Sequence, residues 1–360
     1  MTSRERIQAI LALEIPDRMG LHEHIWGETI PDYWVNEGYP EGTDPADYFG
    51  YDIVQAGGWW DVAPFPGLDE TVEETDEWRT SRNSFGSTLK HWKSKSGTPE
   101  HIDFDCTTPE IWEQKYKPRV DHFDPDRVDV QALRESYEEV MAGERFVCYG
   151  NLLQLEIMRK MLGDVTMLQS LLLEPDWIRD ICRTYADLYV ETYDYIFREV
   201  GRPDGMFVYE DLGFRNGPFM SEETYREVLM PYHRQIFDFF HQNGLPVIFH
   251  ACGDVRRLVG AAAEAGIDCL QPMEAKSGCD VLKLSKQFEG KLSFMGNIDV
   301  TKLNTNDRYV INEEVVPKLE ALRKRRVPYV FHSDHSIPPD VRLASYEYAL
   351  ELLEEHGRYE

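Results

Sequence analysis

The sequence lacks a long apolar run and lacks an obvious leader peptide. A membrane-spanning helix needs roughly 18 or more largely apolar residues, and no stretch of the 360 residues approaches that length. Residues 1–13 place charges at Arg4, Glu5 and Arg6 before a brief apolar stretch, with no small-residue cleavage site after it. We therefore expect neither a membrane protein nor a secreted one.

Cysteine is scarce and scattered. The six cysteines are Cys106, Cys148, Cys182, Cys252, Cys269 and Cys279. A disulfide framework is typical of short secreted chains, whereas thiols spread through a long chain suit a reducing compartment. We expect a cytoplasmic protein in which each cysteine is buried, catalytic or bound to a metal.

Basic residues are also few. The chain has 38 Lys and Arg against 65 Asp and Glu, which gives a formal net charge of -27. This negative field repels phosphate backbones, so we expect no nucleic-acid partner. The clear basic cluster, Arg323 to Arg326, ends a predicted helix, where cations are favoured by the helix dipole.

What is present is the composition of a globular protein with a regular chain organisation. Hydrophobic residues make up 42% and charged residues 29% of the sequence. From about residue 108 onward, predicted helices alternate with short apolar strands. The predicted strands are 145–150, 205–210, 246–250, 267–271, 292–295 and 328–332, and the predicted helices are 128–142, 152–162, 175–200, 221–243, 254–265, 278–288, 311–325 and 340–355. Repeated βα units predict a parallel sheet, and their number favours a closed (β/α)8 TIM-type barrel over a doubly wound sheet.

The N-terminal third departs from this regularity. It begins with a predicted helix over residues 3–13, followed by predicted strands over Met19–Trp26 and Asp52–Gln55. Alternating polar and apolar residues over about 70–105, with turn residues at Asn83–Gly86, predict a β-hairpin insertion. We predict one barrel domain over 1–360 with this insertion. The insertion would cover either the mouth of the site or a contact between subunits, and a homodimer is therefore possible.

One predicted strand ends in two metal-binding residue types. The strand over residues 246–250 leads directly into His250 and Cys252. Residues two apart on a strand point the same way, so the imidazole and the thiol share one face. Both groups are good ligands for first-row metals. The alternative is a buried histidine beside a neutral thiol.

Polar residues also follow the neighbouring predicted strands. The successive strand ends carry Glu210 and Asp211, then His250 and Cys252, then Gln271 to Glu274, then Asn297 and Asp299, and finally His332, Asp334 and His335. In a barrel these ends form the rim where loops build the active site. Glu210 and Asp211 are adjacent carboxylates, and their repulsion would raise one pKa for acid–base catalysis. A hydrogen-bonded loop anchor is the alternative for this pair.

Further residues are expected to line the site and bind substrate. His22 and His24 repeat the two-residue spacing, although ordinary hydrogen-bonded histidines have the same pattern. The tryptophans offer flat apolar faces for a bulky ligand, or else pin their loops by burial. The complete set of predicted substrate-binding residues is His22, His24, Trp26, Trp59, Trp60, Asp61 and Asp334.

Three segments resemble motifs of a known family. Arg6 to Arg18 looks like the opening of the uroporphyrinogen decarboxylase superfamily, and Gly296–Asp299 and Ser333–Pro338 look like two of its signature turns. The resemblance spans nearly the whole chain. The true decarboxylase follows its opening with an arginine-bearing segment that grips porphyrinogen carboxylates. Here His22–Glu28 has acids instead, so the resemblance is closer to the zinc-dependent methyltransferases that act on corrinoid proteins or coenzyme M.

This resemblance implies a ligand set. The methyltransferase branch has His-x-Cys at a strand end, which matches His250 and Cys252. It places a third ligand, usually cysteine, on the last strand's loop, where this sequence has His335. The related methionine synthases use a glutamate one strand after His-x-Cys, and Glu274 lies at that place, with another acid or water as its alternative. The implied metal is tetrahedral zinc, and His335 in place of a thiolate makes it a stronger Lewis acid.

The resulting hypothesis is a zinc-dependent methyltransferase. It would move a methyl group between a small O-, N- or S-methyl substrate and a corrinoid (cobalamin) carrier, with a separate corrinoid protein as a further partner left open. One alternative is a decarboxylase or lyase in which Asp52 or Asp61 and His335 handle a small carboxylic acid. A second alternative is a non-enzymatic module that binds a corrinoid or tetrapyrrole through the aromatic loops.

Overall fold

The computed structural model describes residues 1–57, 59–94 and 99–359. Within them the strands are β1 (Gly20–Leu21), β2 (Ile53–Gln55), β3 (Glu70–Glu74), β4 (Trp78–Arg82), β5 (Ser87–Trp92), β6 (Glu100–Phe104), β7 (Phe146–Leu152), β8 (Gly205–Tyr209), β9 (Gly213–Phe214), β10 (Gly217–Pro218), β11 (Val247–Ala251), β12 (Cys269–Pro272), β13 (Ser293–Met295) and β14 (Tyr329–Phe331). The helices are α1 (Ser3–Leu11), α2 (Pro45–Phe49), α3 (Pro109–Ile111), α4 (Val130–Met141), α5 (Gln154–Leu173), α6 (Pro175–Glu199), α7 (Glu222–Val228), α8 (Met230–Gln242), α9 (Val259–Ala265), α10 (Val281–Gln287), α11 (Val300–Leu303), α12 (Arg308–Lys324) and α13 (Leu343–His356).

Eight parallel strands form a nearly closed barrel. Their order around the sheet is β1, β14, β13, β12, β11, β8, β7 and β2, so chain neighbours are also spatial neighbours. The seam between β1 and β2 is bridged by the Asp52 amide, which donates to the Leu21 carbonyl at 2.7 Å. Helices connect the strands, as parallel crossovers require. The predicted (β/α)8 fold is confirmed.

The amino end of the barrel is closed by apolar packing. Side chains from seven of the strands meet below the site, and α1 packs against them. The buried residues of this cluster are Ile7, Ile10, Leu11, Ile53, Phe146, Cys148, Phe207, Ile248, Cys269, Met295 and Val330. Near-continuous apolar strands such as β11 follow from burial on both faces, since the barrel interior lies on one side and the helices on the other. This plug leaves the opposite end for polar chemistry.

Ion pairs hold the same end together. Asp52, just before β2, is fully buried and accepts from Arg6 Nη1 at 2.8 Å, from Arg18 Nη1 at 2.8 Å and from the Leu21 amide at 2.8 Å. Arg6 also pairs with Asp17, and this hydrogen bond holds the pKa of Asp17 well below its usual range. Asp52 therefore anchors the barrel floor. It lies at the opposite strand end from His335, so the structure does not bring these two together as the decarboxylase alternative required.

The insertion is larger than a single hairpin. Strands β3 to β6 form an antiparallel sheet in chain order over Glu70–Phe104, although 95–98 of the predicted segment lie outside the described residues. Lys90 Nζ lies 4.3 Å from the ring centroids of both Trp78 and Trp92. Cation–π contacts of this kind tie β4 to β5 on one face.

Two helices differ from the sequence prediction. The predicted helix 221–243 is divided into α7 and α8, because Pro231 enters the first turn of α8, where its missing N–H is tolerated. The predicted helix 152–162 continues as far as Leu173 in α5, across a kink at Gly163, whose φ of 74° is outside the helical range. None of the described helices is both long and apolar enough to span a membrane.

Candidate metal centre

Three potential metal-binding side chains meet at the carboxyl ends of β8 and β11. Asp211 follows β8, while His250 and Cys252 lie at the end of β11, and one donor atom from each lies within 4.8 Å of the others. His250 Nε2 is 3.3 Å from Cys252 Sγ and 3.3 Å from Asp211 Oδ1. Among the described residues this is the group that meets those criteria for holding a metal ion. We call Asp211, His250 and Cys252 the donor cluster.

The donor cluster is electrostatically polarised. Burial acts to raise the pKa of Asp211, but the hydrogen bond and charge of His250 outweigh it and lower that pKa to about 2. Burial opposes the protonation of His250, yet the neighbouring Cys252 and Asp211 raise its pKa well above the usual value. The Cys252 thiol has a pKa raised by burial, which His250 partly offsets. Without a metal, the pairing therefore favours an imidazolium against a carboxylate.

Backbone hydrogen bonds fix the Cys252 loop from two sides. The Cys252 amide donates to Asp211 Oδ1 at 3.0 Å, which ties the loop after β11 to the end of β8. The next amide, Gly253, donates to Glu274 Oε2 at 2.8 Å. The other Glu274 oxygen is 3.2 Å from Lys276 Nζ. Two acids thus hold the loop that carries the thiol.

Two glycines allow the loops to approach closely. Gly253 has a φ of 81°, and a Cβ there would lie 2.3 Å from the Gly213 carbonyl carbon. The Asp254 amide donates to the Phe214 carbonyl at 2.9 Å in the same contact. No side chain fits between these segments, so glycine at 253 sets the separation of the β8 and β11 ends.

Glu274 and His335, the other two ligands implied by the sequence, have different partners. Glu274 is engaged by the Gly253 amide and by Lys276. His335 stacks on Trp26, with ring centroids 6.0 Å apart at 27°, and its Nδ1 is 3.5 Å from the Ser336 carbonyl. Neither side chain belongs to the donor cluster found among the described residues.

Glu210 has a structural setting. Its side chain is fully buried and accepts from the Leu155 and Glu156 amides at 2.9 and 3.1 Å, which caps the start of α5. His233 Nε2 lies 2.8 Å from the same carboxylate and is also fully buried. This geometry favours the loop-anchor role for Glu210, the alternative left open by the sequence, over acid–base chemistry.

A chain of polar side chains lies across the barrel beneath the donor cluster. His250 Nδ1 is 2.5 Å from Gln271 Oε1, and Gln271 Nε2 is 3.2 Å from His332 Nε2. His332 Nε2 is also 2.9 Å from His24 Nδ1. Tyr209 OH lies 3.1 Å from the other nitrogen of His24. We call these five residues the polar layer.

A buried carboxyl group supports one edge of the polar layer. Glu23 Oε1 lies 3.2 Å from His332 Nδ1, and both Glu23 oxygens accept from Ser333, at 2.9 Å from its amide and 2.8 Å from its hydroxyl. Burial raises the pKa of Glu23 to about 8, despite the Ser333 donors. Burial lowers the pKa of both His24 and His332 well below the usual value, with help from neighbouring histidines. Apart from His250, the layer is therefore uncharged at neutral pH.

The predicted aromatic residues divide into exposed and buried ones. Trp59 is 47% exposed and stacks on Tyr209 with centroids 5.5 Å apart. Tyr209 in turn lies 5.1 Å from the His250 ring, so the two aromatic rings form a wall beside the donor cluster. Trp60 is buried edge-on against Tyr189, which favours a packing role.

Of the remaining predicted residues, Asp61 and Asp334 have structural hydrogen-bond partners. Asp61 Oδ1 accepts from the Ala63 amide at 2.9 Å within its own loop. The buried Asp334 accepts from the Ala275 and Val300 amides at 2.9 and 2.8 Å and joins two loops of the rim. His22 is buried, and neither ring nitrogen makes a hydrogen bond of normal geometry with a described residue, although one lies near the Ile53 backbone.

Several residues that contact the site were not among the predicted site residues. Arg159 Nη1 lies 3.8 Å from Asp211 Oδ2 and 2.6 Å from Glu156 Oε1. Burial and the charge of Asp211 raise the pKa of Glu156 to about 7. The available signal was the i, i+3 spacing of Glu156 and Arg159 at the start of a helix after a barrel strand. Nothing in the sequence pattern distinguished Tyr209 from an ordinary core aromatic.

Comparisons with known proteins agree with this architecture. The family model for uroporphyrinogen decarboxylase (URO-D) matches residues 158–356, more than half of the chain. A methylated-thiol–coenzyme M methyltransferase from Methanosarcina mazei is 31% identical over 87 residues, which cover 24% of this chain and 22% of that protein. The alignment thus spans about a fifth of the relative's length. A solved methyltransferase structure from Methanosarcina mazei superposes with a TM-score of 0.68 at 14% identity over 99% of both chains, which shows the shared fold.

Proposed function

The chain belongs to the uroporphyrinogen decarboxylase family, and from that premise we propose that it is a zinc-dependent methyltransferase. It would transfer a methyl group between a small methylated substrate and a corrinoid carrier. The observation that carries this proposal is the donor cluster, which offers nitrogen, sulfur and oxygen ligands at the rim of the barrel. The local similarity to a methylated-thiol–coenzyme M methyltransferase supports the reaction class.

The donor cluster fits zinc in its chemistry and in the two donor separations that involve His250. Zinc accepts imidazole, thiolate and carboxylate together, and three protein ligands leave a fourth position for substrate. Bonds of about 2.0 Å to nitrogen or oxygen and about 2.3 Å to sulfur, at tetrahedral angles, separate the donor atoms by roughly 3.3 to 3.6 Å. The 3.3 Å separations of His250 Nε2 from Cys252 Sγ and Asp211 Oδ1 agree with this range. When bound, zinc would supply Lewis acidity that lowers a substrate thiol's pKa or polarises a leaving heteroatom.

The protein's own side chains would position the substrate. The wall of Trp59 and Tyr209 offers a flat apolar face next to His250, against which a small organic group can pack. Arg159, whose Nη1 lies 3.8 Å from Asp211 Oδ2, adds a positive charge at the edge of an acidic site. The neutral His24 and His332 of the polar layer form the floor below, so charged groups are favoured on the upper side.

We assign Glu274 and His335 to supporting roles in this proposal. Glu274 holds the Gly253 amide and thereby the thiol's loop. His335, with Trp26, forms part of the rim above the barrel. Metal analysis of His335→Ala tests this assignment: retained zinc supports a rim role for His335, and lost zinc would make it a metal ligand, as the sequence implied.

The test is metal content together with methyl transfer. Purified protein should contain about one zinc per chain by elemental analysis, and Cys252→Ala should lose it because a thiolate ligand is removed. Cys182→Ala is the matched control, since Cys182 is a free cysteine buried in α6, and it should retain zinc. The zinc-loaded protein should form methylcobalamin from a suitable methyl donor, followed spectroscopically.

Other outcomes favour the alternatives. Full activity of metal-free protein would contradict the zinc assignment. Release of carbon dioxide from a small carboxylic acid without a corrinoid requirement would identify a decarboxylase. Cobalamin binding without methyl transfer to any acceptor would identify a binding module.

A further inference from the structure

We propose that Gln271 is a positioning residue that fixes the protonation pattern of the His250 ring, so that Nε2 presents its lone pair to the metal. The proposal rests on the zinc assignment above and extends it to residues beneath the donor cluster. One backbone carbonyl fixes the position of a proton on His332, and the donor and acceptor roles of Gln271 and His250 follow from it.

The first step concerns His332. Its Nδ1 lies 2.6 Å from the Ser333 carbonyl oxygen, which can only accept, so Nδ1 carries the proton. Glu23 Oε1, at 3.2 Å, also faces this nitrogen. His332 is fully buried among other histidines and is neutral, so its Nε2 has no proton and must accept.

The second step orients the Gln271 amide. Because His332 Nε2 accepts, the group facing it at 3.2 Å must be a donor, and the Gln271 Nε2 amide nitrogen fills that role. The amide oxygen then points the other way, to within 2.5 Å of His250 Nδ1. His332 therefore determines which end of the amide faces His250.

The third step sets the His250 ring. An amide oxygen can only accept, so His250 Nδ1 donates its proton to Gln271. The proton on Nδ1 leaves Nε2 as the nitrogen available for coordination, and Nε2 is the atom that faces Cys252 Sγ and Asp211 Oδ1. A flipped amide would place a donor against Nδ1 and direct the Nε2 proton at the metal position.

A second branch reinforces His332 as the acceptor. His24 Nδ1 lies 2.9 Å from His332 Nε2 and donates to it. The other nitrogen of His24 then accepts from Tyr209 OH at 3.1 Å, and Tyr209 OH itself accepts from Gln55 Nε2 at 2.6 Å. Every donor in this branch meets an acceptor, which is consistent with the same assignment of His332.

The experiment compares two glutamine substitutions of the same chemistry. Gln271→Leu removes the acceptor for His250 Nδ1, and we expect its zinc affinity, measured by chelator competition, to fall about 10- to 100-fold. Gln154→Leu is the matched control: Gln154 is fully buried in α5, but its amide makes no hydrogen bond with a described residue. Its zinc affinity should equal that of the wild type.

Nuclear magnetic resonance provides a readout that packing changes alone would not move. In ¹⁵N-labelled wild-type protein at saturating zinc, the Nδ1 proton of His250 should give a protected imidazole signal. Saturated Gln271→Leu protein should lose that protection because the acceptor is absent. If Gln271→Leu does not fold, Gln271→Asn, whose side chain is too short to bridge both partners, should give the same loss.

The outcomes separate this inference from the proposed function. Wild-type protein that binds no zinc overturns the proposed function and this inference together. Wild-type protein that binds zinc, alongside Gln271→Leu with unchanged affinity and an unchanged imidazole signal, overturns the role of Gln271 alone. An equal loss in Gln154→Leu would also overturn it, because the effect would then come from replacing any buried glutamine.

Discussion

The two ends of the barrel use an aspartate in opposite ways. At the amino end, Asp52 has no exposed surface and receives two guanidinium groups, from Arg6 and Arg18, as well as a backbone amide. At the carboxyl end, the Asp211 side chain is 29% exposed, accepts one amide, and faces His250 at 3.3 Å and an arginine at 3.8 Å. The charge of Asp52 is fully compensated by its partners, whereas Asp211 keeps an oxygen that can coordinate a metal ion.

This difference is the expected division of labour in a barrel. Residues at the amino ends of the strands stabilise the fold, and residues at the carboxyl ends carry chemistry. A buried charge with complete partners contributes to stability only as long as each partner remains. Removing a partly compensated charge lowers the free energy of unfolding less, but it has a larger effect on metal binding. Substitutions at the two ends should therefore separate stability from metal binding.

The largest effect is expected at the amino end. Asp52→Asn removes the buried negative charge shared by Arg6 and Arg18, and the buried Arg6 keeps only the partly exposed Asp17 as a carboxylate partner. We expect the free energy of unfolding to fall by about 3 to 5 kcal/mol, measured by urea denaturation. The affinity of the folded protein for zinc should not change. A loss below about 1 kcal/mol would show that the two ends do not differ in this way.

A pH-dependent effect of intermediate size is expected from Glu23, which is buried in the upper half without an arginine. Its pKa is about 8 in the folded protein and near the ordinary 4.5 when unfolded, so the folded state binds more protons between these values. Stability from this group is complete below about pH 4.5 and is lost as the pH rises through 8. The Glu23→Gln variant should not lose this stability, because glutamine does not ionise.

The measurement is urea denaturation of both proteins at several pH values. The stability of Glu23→Gln relative to the wild type should increase by about 4 kcal/mol between pH 5 and pH 9. Asp17→Asn is the control of opposite sign, because the lowered pKa of Asp17 gives stability above about pH 4 that is lost at lower pH. Parallel curves for Glu23→Gln and wild type would contradict a raised pKa.

The smallest stability effect is expected at Asp211. Asp211→Asn keeps an oxygen that accepts from the Cys252 amide, so the free energy of unfolding should change by less than about 1 kcal/mol. Zinc affinity should nevertheless fall at least about tenfold, since an amide is a poorer ligand than a carboxylate. Calorimetric titration with zinc measures the affinity. An unchanged zinc affinity would show that Asp211 is not a ligand and would favour Glu274 as the oxygen ligand.

The sequence predicted the parts of this structure that depend on local periodicity. The regular βα alternation after residue 108 was sufficient for the barrel, and the two-residue spacing of His250 and Cys252 places both at one strand end, as the structure has them. Boundaries failed where one residue overrides a pattern. Gly163 permits a kink without ending α5, and Pro231 starts a new helix inside an apparently continuous one.

Contacts between distant segments could not be read from spacing. Glu274 has the position of a ligand along the chain, yet its carboxylate meets the Gly253 amide instead, because the direction of a loop depends on its tertiary neighbours. Gln271 and His332 were expected among the polar residues at the strand ends, but their roles follow only from which nitrogen faces which oxygen. Asp211 was expected at the rim, but its pKa is lowered by His250 rather than raised by Glu210.

The close contact between Gly213 and Gly253 has a consequence for how the metal would arrive. Because two backbones touch where the loops cross, the spacing of Asp211 and Cys252 is set during folding of the chain itself. The ion would bind to a preorganised site, so little of its binding free energy would be needed to order the loops. Metal-free protein should then be fully folded, with an added thermal stability that follows free zinc concentration by mass action alone.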